Sequence, residues 1–107
     1  MSVQFNHVLL AARDRQASAS FFAHLFGLPE PTSWGPLTSV SLTEGVHLQC
    51  AEPRVEEIQM QRVAFLVDDD TFDQSYTRIQ ATGLEHGLDP QGTQPGQMNT
   101  HHGGRGV

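Results

Sequence analysis

An internal echo constrains this chain more than any other feature of its sequence. Phe5-Asn6-His7-Val8-Leu9-Leu10-Ala11-Ala12 is repeated in character by Met60-Gln61-Arg62-Val63-Ala64-Phe65-Leu66-Val67. Each apolar run is followed by acidic punctuation and a helical pattern, and then by Gly-Leu, at Gly27-Leu28 and again at Gly83-Leu84. A chain of 107 residues is one domain by size, so two half-size modules must share one modest core. The echo sets His7 and Arg62 at equivalent positions, where a two-module protein would build a shared site.

Gln4 to Ala12 reads as a strand, a short β-compatible run ended by Arg13-Asp14-Arg15. Phe5, His7, Leu9 and Ala11 fall on one face of it. Asp14 is placed to cap a helix on which Ala17, Phe21, Phe22, Leu25 and Phe26 recur at helical spacing, and Gly27 offers the left-handed terminating position. Pro29, Pro31 and Trp34-Gly35-Pro36 then break regularity. Leu37–Leu42 and Val46–Ala51, joined by Thr43-Glu44-Gly45, form the pattern of a β-hairpin. The first module is therefore β, α and then three β, over residues 1–52.

Residues 53–59 are a polar, aperiodic connector, and the second module, 60–107, opens with a strand from Gln61. Asp68-Asp69-Asp70 reads as a helix cap, with carboxylates favoured by the helix dipole, rather than as a metal-binding run. Phe72, Tyr76 and Ile79 give that helix a buried stripe, and Gly83 is expected to end it. Leu84–Leu88 is a short, weak strand and Asp89–Gly106 a loop rich in Gly, Pro, Gln and Asn. The second module thus lacks its last strands, leaving a sheet edge to be filled by chain beyond Val107 or by a partner.

Composition excludes several classes of function. No apolar stretch approaches the ~20 residues of a membrane span, and no basic, apolar leader opens the chain; no membrane association and a cytoplasmic protein are expected. Cys50 is the sole cysteine, so neither an intrachain disulfide nor a thiolate cluster can form. It reads as a small apolar filler. With a net charge of −6 and a few scattered arginines, no basic stripe exists for nucleic acid.

Taken in order, Asn6-His7-Val8, Phe21-Phe22-Ala23-His24-Leu25-Phe26-Gly27-Leu28-Pro29, Ala64-Phe65-Leu66-Val67 and Asn99-Thr100-His101-His102-Gly103-Gly104-Arg105-Gly106-Val107 resemble the vicinal oxygen chelate superfamily, which holds glyoxalases, bleomycin-resistance proteins and extradiol dioxygenases. The resemblance implies an α+β fold in which paired βαβββ modules form a cupped mixed sheet with helices outside. In metal-using relatives, a His on the first strand, a His or similar on its counterpart in module two and a Glu on the final strand hold one divalent ion, Fe, Mn, Zn or Ni. His7 matches the first position. Arg62 stands at the second, and a permanently protonated guanidinium has no lone pair to coordinate with. No carboxylate follows Asp89 to supply the third.

The candidate site residues each have two readings. His7 is a remaining metal ligand or a hydrogen-bonded interior histidine. Arg62 offers a planar fork to a carboxylate or phosphate ligand, or pairs structurally with an acid such as Glu85. His47 and Gln49 share a hairpin face opposite Val46, Leu48 and Cys50 and line the cup's wall if the register allows. Trp34 stacks on a flat ligand, or belongs to the core or an interface. His101 or His102 brings a late-loop imidazole, or both are solvated. The function read from this set is binding of a small molecule, anionic where Arg62 meets it, in a cupped pocket with a degenerate metal site. The alternative is a metal-dependent extradiol dioxygenase or glyoxalase-type lyase whose chain continues into a Glu-bearing strand. A homodimer is the expected assembly, since an identical partner can cover the unfilled edge.

Overall fold

The computed structural model describes residues 2–82, with Glu44 known by its backbone alone. Its elements are β1 (His7–Ala11), α1 (Arg15–Phe26), β2 (Thr32–Trp34), β3 (Leu37–Ser41), a 3₁₀ turn (Thr43–Gly45), β4 (His47–Ala51) and α2 (Asp69–Thr82). The four strands form one mixed sheet in the order β1-β4-β3-β2. β1 and β4 run parallel, whereas β4–β3 and β3–β2 are antiparallel. This is the α+β, βαβββ arrangement expected of the first module. The chain packs as two units, Met1–Leu66 and Val67–Val107.

Local chemistry sets the ends of α1. The Asp14 carboxylate accepts the Ala17 N–H at 3.0 Å, satisfying one of the donors that the first turn leaves open. At the other end Gly27 turns left-handed at φ 66°, where a Cβ would be strained. The Leu28 N–H then reaches back to the Ala23 carbonyl at 2.8 Å, the Schellman closure. The hairpin turn follows the same logic, with Gly45 at φ 76° and the Leu42 N–H bonded to the Val46 carbonyl at 2.7 Å.

The core lies between α1 and one face of the sheet. Ala12, Ala19, Ala23, Val40, Leu48 and Cys50 are buried there, with Val8, Leu10, Phe22, Leu28, Leu42 and Phe65 packed against them. Ala19 and Ala23 are small enough to let the helix approach the strands closely. Thr38 is the polar exception, fully buried. Its hydroxyl is satisfied by that of Ser33 at 3.1 Å, as burial of a hydroxyl requires.

Two expectations need correction. The first strand begins at His7 and not at Gln4, because its ladder starts where β4 begins: the His47 N–H donates to the Asn6 carbonyl at 2.9 Å. The expected second-module strand from Gln61 forms no ladder among the described residues. A side chain takes the place of the backbone there. Gln61 Oε1 accepts the Ala11 N–H at 2.7 Å and Gln61 Nε2 donates to the Ala11 carbonyl at 2.9 Å, while Phe65 packs at a tilt against Phe22 and Phe26 with ring centroids 5.8 and 4.9 Å away.

In the second unit, the acidic run is a helix cap. Asp68 Oδ1 accepts the Thr71 N–H at 2.7 Å, and Asp69 and Asp70 occupy the first turn of α2. The hydrogen bonds from Thr71, side chain and backbone, hold the Asp68 carboxyl below the usual carboxylate range. Its stabilisation is therefore present at neutral pH and fades only as pH falls through that lowered value. Phe72 and Tyr76 stack at 6.1 Å and, like Ile79, are half-buried rather than enclosed. The expected helix end at Gly83, the strand at Leu84–Leu88 and the late loop lie outside the described residues.

Asp14→Ala should lower unfolding stability by about 0.5–2 kcal/mol, the usual worth of an N-cap, with Asp14→Asn largely restoring it. Urea denaturation followed by circular dichroism measures this directly.

Candidate functional site

Strand register decides which side chains share the sheet face turned away from α1. His7 is opposite His47, and His47 is opposite Ser41. One step along, Leu9, Gln49, Ser39 and Thr32 form a second row. Directly opposed residues on adjacent strands point to the same face, so these rows are continuous across the sheet. Their neighbours Val8, Leu48, Val40 and Thr38 turn to the core instead. Every member of the two rows is half-buried or exposed.

The first row is made of imidazoles held by side-chain oxygens. His7 Nδ1 lies 2.7 Å from Asn6 Oδ1. An amide oxygen only accepts, so in this contact the ring donates through Nδ1, and Nε2 is the atom left outside the pair. His47 Nδ1 is 3.4 Å from the Ser41 hydroxyl. The second row offers a carboxamide and two hydroxyls. Trp34, paired with Leu37 on the same side as Thr32, is 79% exposed.

His7, His47, Gln49 and Trp34 thus come to one sheet face. The core reading of Trp34 is overturned, because β2 is an edge strand and Thr32 and Trp34 turn away from α1, while Ser33 faces the buried Thr38. Arg62 is exposed and makes no hydrogen bond or ion pair among the described residues; Glu85, its suggested partner, lies outside them, as do His101 and His102. Ser39, Ser41 and Thr32 escaped notice in the sequence. The alternation of Ser39-Val40-Ser41 was the signal that could have found them.

The Cys50 thiol turns the other way, into the core, and desolvation there pushes its pKa up. Beside it runs a crevice of about 220 Å³ between α1 and β1, lined by Leu10, Phe22, Cys50, Gln61 and Val63 among others. A raised pKa and full burial make this thiol a packing group and not a nucleophile.

A metal ion of the kind the resemblance implies needs several donor side chains in one place. No group of three His, Cys, Asp or Glu residues converges among the described residues. The donor chemistry present fits two positions of a site, both imidazole, and Arg62 fits none. No helix among the described residues is long and apolar enough to cross a membrane.

A four-stranded mixed sheet with a helix packed on one face defines a small α+β protein. Among solved structures, the chain is similar to "Oxidase ChaP-H1" at 39% identity, covering 97% of this chain and 83% of that one, with a TM-score of 0.90. It is similar to "Oxidase ChaP-H2" at 42% identity, covering 98% and 82%, again at 0.90. The chain belongs to the family that these oxidases represent. No protein-family model matches it, and no curated protein does.

Gln61→Glu should destabilise the protein by about 1–2 kcal/mol, since a carboxylate cannot donate to the Ala11 carbonyl and leaves two acceptors facing each other. Chemical denaturation reads the loss. Cys50 should react with 5,5′-dithiobis(2-nitrobenzoate) only after unfolding, and rapid labelling of the native protein would contradict its burial.

Proposed function

We propose that this chain is an oxidase-like enzyme of the vicinal oxygen chelate superfamily, and that the sheet face carrying His7, His47 and Gln49 binds its small organic substrate. The two rows of largely polar side chains, His7–His47–Ser41 and Gln49–Ser39–Thr32, each across three strands, carry this reading. A sheet face that served only packing would bury apolar side chains there, whereas this one presents two imidazoles, a carboxamide, hydroxyls and an exposed indole. Names of the two solved relatives supply the reaction class, an oxidation.

The residues divide the work by chemistry. Trp34 supplies a flat apolar surface on which a planar ring stacks. Gln49, Ser39 and Thr32 offer donors and acceptors that orient polar substituents. With no ion on its Nε2, the His7 imidazole accepts a proton from a substrate hydroxyl and so raises the electron density of the ring to be oxidised. Arg62 pairs with a carboxylate or other anionic group on the substrate. A divalent ion, when bound, would supply Lewis-acid activation of vicinal substrate oxygens; His7 would hold it.

A homodimer is part of the same reading. The Asn6 carbonyl and the Ala12 N–H face β4, so the intervening His7, Leu9 and Ala11 direct backbone groups to the outer edge of β1. Ala11 is the one of these with a partner among the described residues, the Gln61 amide. An open edge of this kind favours a second chain. Light scattering should give twice the monomer mass.

The test of the site is calorimetric titration with 2,3-dihydroxybenzoate, and with catechol as its carboxylate-free counterpart. Both should bind saturably, with Gln49→Ala and Trp34→Phe each weakening both probes. Arg62→Ala should weaken the carboxylate probe alone, by about 1.5–3 kcal/mol. Absence of binding by either probe, or binding that Gln49→Ala and Trp34→Phe leave unchanged, removes this reading.

A further inference from the structure

Between α1, β1 and the segment 61–63, protein atoms leave about 220 Å³ unfilled. The residues around this crevice all belong to the unit Met1–Leu66. Ala12 and Cys50 are its most deeply buried members, Leu10 and Phe22 are half-buried, and the mouth lies at the exposed Gln61 and Val63. Protein interiors are otherwise close-packed, so side chains around such a space lack dispersion partners on one side, and a ligand of fitting shape supplies them. An apolar cavity of about 150 Å³ holds one benzene ring, so the space here admits a ring with a substituent. None of the described residues lining it carries a charge, and an ionised group brought inside would lose its water without gaining a partner.

One polar group bordering the crevice is uncommitted. The half-buried Ser18 engages its backbone N–H with the Asp14 carbonyl at 3.0 Å, but its hydroxyl makes no hydrogen bond among the described residues. Ser18 stands one turn before Phe22 on α1, and residues four apart share a helix face. The Gln61 carboxamide at the mouth is already committed, bridging the Ala11 N–H and carbonyl at 2.7 and 2.9 Å. From the volume, the uncharged apolar walls and the one available hydroxyl, we infer that this crevice is a binding site for a neutral monocyclic phenol. Its ring packs against Leu10, Phe22 and Val63, and its hydroxyl pairs with Ser18 Oγ. A phenol meets the requirement for neutrality because its pKa lies near 10. The site is on the helix side of the sheet, so it is separate from the face that carries His7, His47 and Gln49 and does not depend on any ligand binding there.

The experiment is calorimetric titration of the full chain with p-cresol and with p-hydroxybenzoate, together with methyl NMR. One p-cresol should bind per chain and shift the Leu10 and Val63 methyl signals. The benzoate should bind at least tenfold more weakly, because its carboxylate meets an uncharged wall. Ser18→Ala should weaken p-cresol about 2- to 10-fold, the worth of one neutral hydrogen bond. Ser18→Leu fills the crevice and should weaken it at least tenfold. Circular dichroism and thermal unfolding establish that each variant keeps the fold; should Ser18→Leu fail to fold, Val63→Trp fills the space from the exposed mouth. No binding of p-cresol at millimolar concentration overturns the inference, as does wild-type affinity in the folded, filled variant. Shifts confined to Leu9 and Leu37, with binding lost in Trp34→Phe, also overturn it, since they put the ring on the opposite sheet face. Gln49→Ala should leave p-cresol affinity unchanged while weakening 2,3-dihydroxybenzoate, so this inference and the proposed substrate site fall separately.

Discussion

The parallel pairing of β1 with β4 is the constraint on which the rest of the first unit depends. Parallel neighbours cannot be joined by a tight turn. The chain must leave β1, cross by α1, and come back through β2 and β3 before β4 can lie alongside. That path places α1 over one face of the sheet, while no other described helix or strand of the first unit packs on the opposite one. It also brings His7 against His47 across forty residues of sequence. A slip of β4 by one residue would turn His47 and Gln49 toward the core and Leu48 and Cys50 outward.

The register is held from the core side. Leu48, Val40 and Cys50 are fully buried beneath Ala19 and Ala23, and moving any of them to solvent would forfeit roughly 1.5–3 kcal/mol per large side chain. Apolar packing on one face therefore determines polar chemistry on the other. The connector adds a second fixing point. The Arg13 guanidinium donates to the carbonyls of Val55 and Glu56, and the Glu52 carboxylate accepts the Arg15 N–H at 3.0 Å. These contacts tie the chain leaving β4 to the start of α1.

Segment 61–66 shows how a repeat in sequence need not be a repeat in hydrogen bonding. Val63, Ala64, Phe65 and Leu66 carry the same apolar character as the first strand. Yet Gln61 reaches β1 through its side chain and Phe65 reaches α1 through its ring, while Leu66 is fully exposed. Propensity describes a residue's preference for extended backbone; the ladder itself needs a partner strand at the right place. Only the arrangement of the chain in space supplies that.

Features governed by nearest neighbours were legible in the sequence. The Asp14 cap, the left-handed Gly27, the Gly45 turn and the Asp68 cap each involve residues within a few positions of one another, where side-chain chemistry determines geometry. The alternation of His47-Leu48-Gln49-Cys50 likewise told which residues share a face. What the sequence by itself determined, then, was the order of β1, α1 and the β3–β4 hairpin and the burial of Cys50, whereas β2 formed in a stretch read as irregular. Tertiary structure alone decided that His47 faces His7, that Ser39, Ser41 and Thr32 join them, that Trp34 stands exposed, and that Gln61 closes on Ala11. These are contacts between residues distant along the chain, and they are set by which strands pair and in which register, a quantity no local pattern encodes.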